Sequence, residues 1–138
     1  VDADLAVGVR AFHDHVARLR PEINFHLAID DFGVGHSSPV RLSGIPWKHI
    51  KVDRAVLVGP HPVQTLTYAV AVAKADLKDA TVVVEGWDDE ADVRLGTILD
   101  ANVHHIQGNR IAGPAPEIYI ELPSPTIDLL RSEPLPTR

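Results

Sequence analysis

Phe25-His26-Leu27-Ala28-Ile29-Asp30-Asp31-Phe32-Gly33-Val34-Gly35-His36-Ser37-Ser38 joins a short apolar run to two carboxylates and then to a glycine-rich loop. Phe25 to Ile29 is expected to be a buried strand, with Asp30 and Asp31 at its C-terminal end. In α/β folds that end of a strand carries the chemistry. Paired carboxylates there fit a hard divalent cation, because Mg²⁺ prefers oxygen ligands. If both aspartates lie in the strand they face opposite ways. One can then serve a metal while the other serves a second metal or a backbone amide. The simpler alternative is that they cap the next helix or hold the turn. Gly33 and Gly35 are expected to shape the loop through conformations open to glycine. Ser37 and Ser38, with Pro39 at a first helical position, open a short helix. Asp31-Phe32-Gly33 also spells the magnesium motif of protein kinases, but no nucleotide-binding glycine loop or catalytic loop precedes it.

Outward from this stretch the same unit recurs. Leu5, Val9, Phe12, Val16 and Leu19 form one apolar face of a helix from about Leu5 to Arg20, ended by Pro21. Further strands are expected at Lys48–Val52, Thr81–Val84 and Val103–Ile106. Helices are expected at Val63–Lys74 and from Asp88 or Asp89 through about Leu99. Alternation of helix and apolar strand predicts a parallel sheet of about four strands in an α/β fold. From Pro114 onward the chain carries six of its eleven prolines and is expected to be an extended cover or linker. Ile118, Ile120 and Leu122 alternate and are compatible with a short extra strand.

Each strand ends in polar groups, which predicts a functional rim along one edge of the sheet. Lys51 and Asp53, two apart, are expected to share a face. A lysine there can hold a phosphate oxygen or a metal-bound water, or make a salt bridge on the rim. Glu85 follows Val82-Val83-Val84, where a carboxylate is costly unless paired or metal-bound. It can act as a base, help place a metal, or simply partner Lys51. Gln107 can bind a guanine edge or cap a loop. The eight histidines are read as structural or surface groups, with His36 alone near the chemistry. Trp47 and Trp87 are read as packing residues, although Trp87 is also placed to line a pocket.

Composition narrows the partners. The net charge is −6 and no block of Lys or Arg occurs, which argues against a nucleic-acid polymer. There is no cysteine, so disulfides and thiolate metal sites are excluded. The longest strongly apolar stretch, Tyr68 to Ala73, is too short to span a bilayer, and no signal-peptide pattern opens the chain. A cytoplasmic location is the expectation. With no methionine at all, a chain starting Val-Asp-Ala-Asp is expected to be part of a longer or processed product.

Four motifs in order carry a resemblance. Leu27-Ala28-Ile29-Asp30-Asp31-Phe32-Gly33, Lys51-Val52-Asp53-Arg54, Val84-Glu85-Gly86 and Gln107-Gly108 resemble successive segments of EAL domains, the phosphodiesterases that open cyclic di-GMP. The resemblance implies a TIM-like (β/α)₈ barrel with its site at the C-terminal strand ends. It implies Asp30 and Asp31 as ligands of Mg²⁺ or Mn²⁺, Lys51 at the nucleophilic water and Glu85 in metal or base duties. Gly33, Gly35, Ser37, Ser38, Asp53 and Gln107 would serve the loop and the substrate rim. The chemistry implied is attack of a metal-activated water on a phosphodiester. The family's Glu-Ala-Leu motif, its earlier Asn and Glu ligands and a phosphate-gripping arginine are absent and would lie before Val1. A full barrel needs about 250 residues, so residues 1–116 are expected to be the C-terminal half and 117–138 an extension. Within the half, Trp87-Asp88 replaces Val-Glu, Asn109 stands where an aromatic is common, and Pro39 where leucine is common. Such a half is expected to be inactive alone. The alternatives are a degenerate module that binds cyclic di-GMP, or an interaction domain, such as a homodimer through the open barrel edge.

Overall fold

A computed structural model describes residues 3–34, 45–77, 80–116 and 121–132. Helix α1 spans Ala3–Leu19, strand β1 Leu27–Phe32 and strand β2 Trp47–Val52. A short helix α2 (Arg54–Leu57) and a long helix α3 (Pro62–Asp76) lead to β3 (Thr81–Val84). Helix α4 (Leu95–Asp100), strand β4 (His105–Ile106) and helix α5 (Ser124–Ser132) complete the order. The four strands form one parallel sheet in the order β1-β2-β3-β4. Sequential parallel strands with intervening helices are the architecture of part of a (β/α) barrel.

The sheet's two faces follow from the period-two alternation of its strands. Ile29 and Phe32, Ile50 and Val52, and Val82 and Val84 are buried on one face. Leu66, Ala69, Val70 and Ala73 of α3 pack there, together with Trp87, Ile98 and Val103. Phe32 stacks on Tyr68 at 6.1 Å between ring centres. Register pairs Lys51 with Val83 and Val83 with His105 on the opposite face. There Ala28, Asp30 and His105 are exposed, and His49, Lys51 and Val83 are partly exposed.

Three expectations are corrected. Strand β1 does not stop at Ile29 but continues to Phe32. The helix expected from Asp88 or Asp89 starts only at Leu95. Asp88 accepts a hydrogen bond from the Asn109 N–H at 2.6 Å and Asp89 pairs with Arg110 at 3.6 Å, so both are engaged with the loop after β4. The proline-rich end, expected to be extended, contains α5, with Pro125 in its first turn where its missing N–H costs nothing. Thr126 of α5 is buried and donates its hydroxyl to the Ile111 carbonyl at 2.5 Å.

The apolar stripe of α1 is only half used. Val9 and Val16 are partly buried and His13 lies 5.1 Å from the Phe25 ring, while Phe12 and Leu19 are each 60% exposed. The Ser37-Ser38-Pro39 helix and the extra strand through Ile118 and Ile120 lie outside the described residues. Among those residues no helix is long and apolar enough to cross a membrane.

Candidate active site

The backbone ladder continues past the strand ends and sets the rim. The Asp53 N–H donates to the Phe32 carbonyl (3.1 Å), the Glu85 N–H to the Val52 carbonyl (3.0 Å) and the Gln107 N–H to the Val84 carbonyl (2.8 Å). These bonds fix the first residue after each strand relative to its neighbour.

On β1 the pair Asp30-Asp31 does not follow simple alternation. Ile29 pairs with Ile50 and Phe32 with Val52, so β1 holds one residue more than β2 over this interval. The extra residue is a bulge, a feature found beside active sites. Asp31 takes it up with φ at +54°, a left-handed conformation that aspartate tolerates better than most residues. Both carboxylates are therefore exposed while Ile29 and Phe32 are both buried. Over this interval the bulge interrupts the simple alternation of the strand.

Lys51 joins β1 to β3. Its ammonium lies 3.1 Å from Asp30 Oδ1 and 2.5 Å from Glu85 Oε1. The Asp30 side chain is 64% exposed, that of Lys51 30% and that of Glu85 18%, so the Lys51–Glu85 contact is the better shielded. The hydrogen bond to Glu85, then that to Asp30, holds the Lys51 ammonium above its usual pKa, against partial desolvation. The hydrogen bond from Lys51 holds the Asp30 carboxyl below its usual range.

The signs give a pH window. A depressed carboxyl contributes fully above its unfolded value, and the contribution is lost as pH falls through the folded one. A raised ammonium contributes fully below its unfolded value and loses that as pH rises through the folded one. The bridge is therefore expected to persist across the whole neutral range. Its Lys51–Asp30 contact should break on the acid side only below the ordinary aspartate midpoint of about 3.9, and on the alkaline side only above the ordinary lysine midpoint of about 10.4. Nitrogen-15 resonances of the lysine ammonium groups, followed over pH, check this. A Lys51 midpoint at or below the ordinary value would contradict it.

Asp53 does not join Lys51; its Oδ1 accepts from the Ala55 N–H at 2.7 Å and caps α2. Gly33 has φ at +97°, and an added Cβ there would lie 2.5 Å from Val56 Cγ2, so the turn after β1 rests on α2. Gln107 is exposed at the end of β4. Gly35, Ser37 and Ser38, with His36, lie outside the described residues. Trp87 is fully buried in the core, and its indole N–H donates to the Val93 carbonyl at 2.8 Å.

Sequence reasoning missed what surrounds Glu85. The Gly86-Trp87-Asp88 segment is tied on one side to Arg54 and on the other to the loop after β4. The signal was present in Gly86 and Gly108, two glycines that each follow a rim residue.

A divalent cation of the Mg²⁺ kind takes about six oxygens in near-octahedral geometry. Among the described residues no group of three or more His, Cys, Asp or Glu is placed to hold a metal ion. Asp30 and Glu85 are instead bridged by the Lys51 ammonium. The described residues by themselves do not fit the expected cation.

Comparison with known proteins agrees with the four motifs. A family model described as EAL domain matches residues 8–114. Cyclic di-GMP phosphodiesterase RocR of Pseudomonas aeruginosa is 37% identical over 94 residues, covering 66% of this chain and 23% of that protein. Cyclic di-GMP phosphodiesterase TpdA of Vibrio parahaemolyticus is 32% identical over 96 residues, covering 67% of this chain and 16% of its own length. Signaling protein YkoW of Bacillus subtilis is 28% identical over 110 residues, covering 75% of this chain and 14% of its own. The chain thus spans less than a quarter of the length of each of these relatives.

Proposed function

We propose, because this chain belongs to the EAL domain family, that it supplies the C-terminal half of the catalytic rim of a cyclic di-GMP phosphodiesterase. One observation carries the reading. Lys51 stands between carboxylates from the two flanking strands at the C-terminal edge of the sheet. Two relatives with this segment in common are named cyclic di-GMP phosphodiesterases.

The two ion pairs of Lys51, which also raise its pKa, support a role as a donor. An ammonium held charged by two carboxylates cannot act as a base near neutrality. It can donate hydrogen bonds to a phosphate oxygen or to the attacking water, and offset charge that builds on phosphorus oxygens. Hydrolysis adds one water across one phosphodiester: the water oxygen bonds to phosphorus, the ribose oxygen leaves, and the water's proton ends on that oxygen. Asp30 and Glu85 orient Lys51, and Gln107 stands at the rim where a guanine edge would lie. EAL domains generally depend on a divalent metal. The Glu-Ala-Leu motif that names the family does not occur in the sequence, which supports the further proposal that this segment alone is inactive and draws its remaining ligands from elsewhere. The departures at Pro39, Trp87-Asp88 and Asn109 favour one other reading, a degenerate module that binds cyclic di-GMP without cleaving it.

The experiment transplants this segment. The stretch of the Pseudomonas relative that aligns with this chain is replaced by the chain's own, and linear dinucleotide formed from cyclic di-GMP with Mn²⁺ is followed by chromatography. The 138-residue chain alone should give no product. The chimera should give product, and Asp30→Ala should abolish it. A folded chimera that binds cyclic di-GMP without cleaving it rejects the hydrolase reading in favour of the receptor.

A further inference from the structure

We propose that Arg54 is a positioning residue for Glu85, acting through the turn at Gly86. The proposal rests on the reading that Lys51 and Glu85 belong to the catalytic rim. Arg54 opens α2, directly after the capping Asp53. Its guanidinium reaches across to the loop after β3, where it bonds to Glu90 and lies 3.8 Å from Asp88. Its aliphatic stem lies against Gly86. A Cβ added at Gly86 would sit 2.5 Å from Arg54 Cβ, 2.6 Å from Cγ and 2.9 Å from Cδ. The stem therefore fills the space a side chain at position 86 would need.

Gly86 has φ at +66°, a conformation that glycine adopts at little cost. The chain thus turns immediately after Glu85, and Arg54 covers that turn. Glu85 is anchored on its other side by its N–H bond to the Val52 carbonyl. Between these two restraints its side chain is delivered to Lys51. The ion pairs themselves are exposed, with Arg54 at 45% and Glu90 at 79%, so they add little to global stability. What Arg54 controls is local: without it the turn is released and the Glu85 carboxylate leaves the ammonium.

The test reads the Lys51–Glu85 contact itself and needs no turnover. The 138-residue chain is pulse-acetylated with an N-hydroxysuccinimidyl ester, and modification of Lys51 relative to Lys74 of α3 is measured by peptide mass spectrometry. Glu85→Gln gives the released value. In Arg54→Ala the Lys51 to Lys74 ratio should rise at least about threefold toward that value, with native circular dichroism. Arg54→Met, which keeps the stem and loses the ion pairs, should fall between. A wild-type ratio in folded Arg54→Ala overturns the proposal; should that variant not fold, a wild-type ratio in Arg54→Met overturns it instead. A wild-type ratio in Glu85→Gln would remove the Lys51–Glu85 pairing and with it the site reading. That failure is distinguishable from one confined to the Arg54 variants.

Discussion

Trp87→Ala is expected to lower the unfolding free energy by about 3–5 kcal/mol, the usual cost of emptying a large aromatic site in a core. Trp87 is wholly buried and is bonded on every side. Its backbone N–H donates to the Gln107 carbonyl (3.1 Å) and its carbonyl accepts from the Arg110 N–H (3.3 Å). Its indole N–H satisfies the Val93 carbonyl, and the Arg110 guanidinium lies 5.3 Å from the ring centre. The alanine leaves a cavity and an unpaired acceptor. Gly108 lets the two loops pack closely here, because a Cβ at position 108 would lie 2.4 to 2.6 Å from the Trp87 backbone. Small domains have only about 5–15 kcal/mol in total, so the variant should sit near the edge of folding. Urea denaturation measures it, and a loss below about 1 kcal/mol would mean the loop after β3 is not part of the cooperative core.

Lys51→Met, in a polypeptide where this segment supports turnover, is expected to lower kcat by about 10²–10³-fold with a smaller change in KM. That is the range for removing one preorganised donor from a site where negative charge develops. Methionine keeps much of the stem's volume, so the loss isolates the charge. Lys51→Arg should not restore the rate, because a planar fork cannot take the place of a compact ammonium between Asp30 and Glu85. Steady-state kinetics on cyclic di-GMP checks both. A kcat within tenfold of the parent would reduce Lys51 to a salt bridge that only braces the strands.

The strands were legible because each is an apolar run closed by polar residues; Thr81–Val84 has the bounds its β-branched composition predicts. The end of β1 was not legible, since Asp30-Asp31 reads as the close of a strand. Only the paired register shows that a bulge lets the strand continue to Phe32. Asp88 and Asp89 resemble helix caps locally, but partners 21 residues away claim them. The prolines after Pro114 suggested an extended tail, while Pro125 falls where a helix accepts it. At the candidate site, the pairing of Lys51 with Glu85 is one of the alternatives that the sequence leaves open. The part played by Arg54 was invisible, because it depends on the space that Gly86 leaves.

The sheet's order is the order of the chain, β1-β2-β3-β4. No strand has to be slotted between two already paired. Each new β/α unit can therefore dock on the one made just before it as the polypeptide emerges from the ribosome, within the pace of synthesis. Contacts between neighbours in sequence keep the loop-closure cost low. An architecture assembled in this way can be cut and rejoined between units, and growth at either edge repeats a step the chain has already taken.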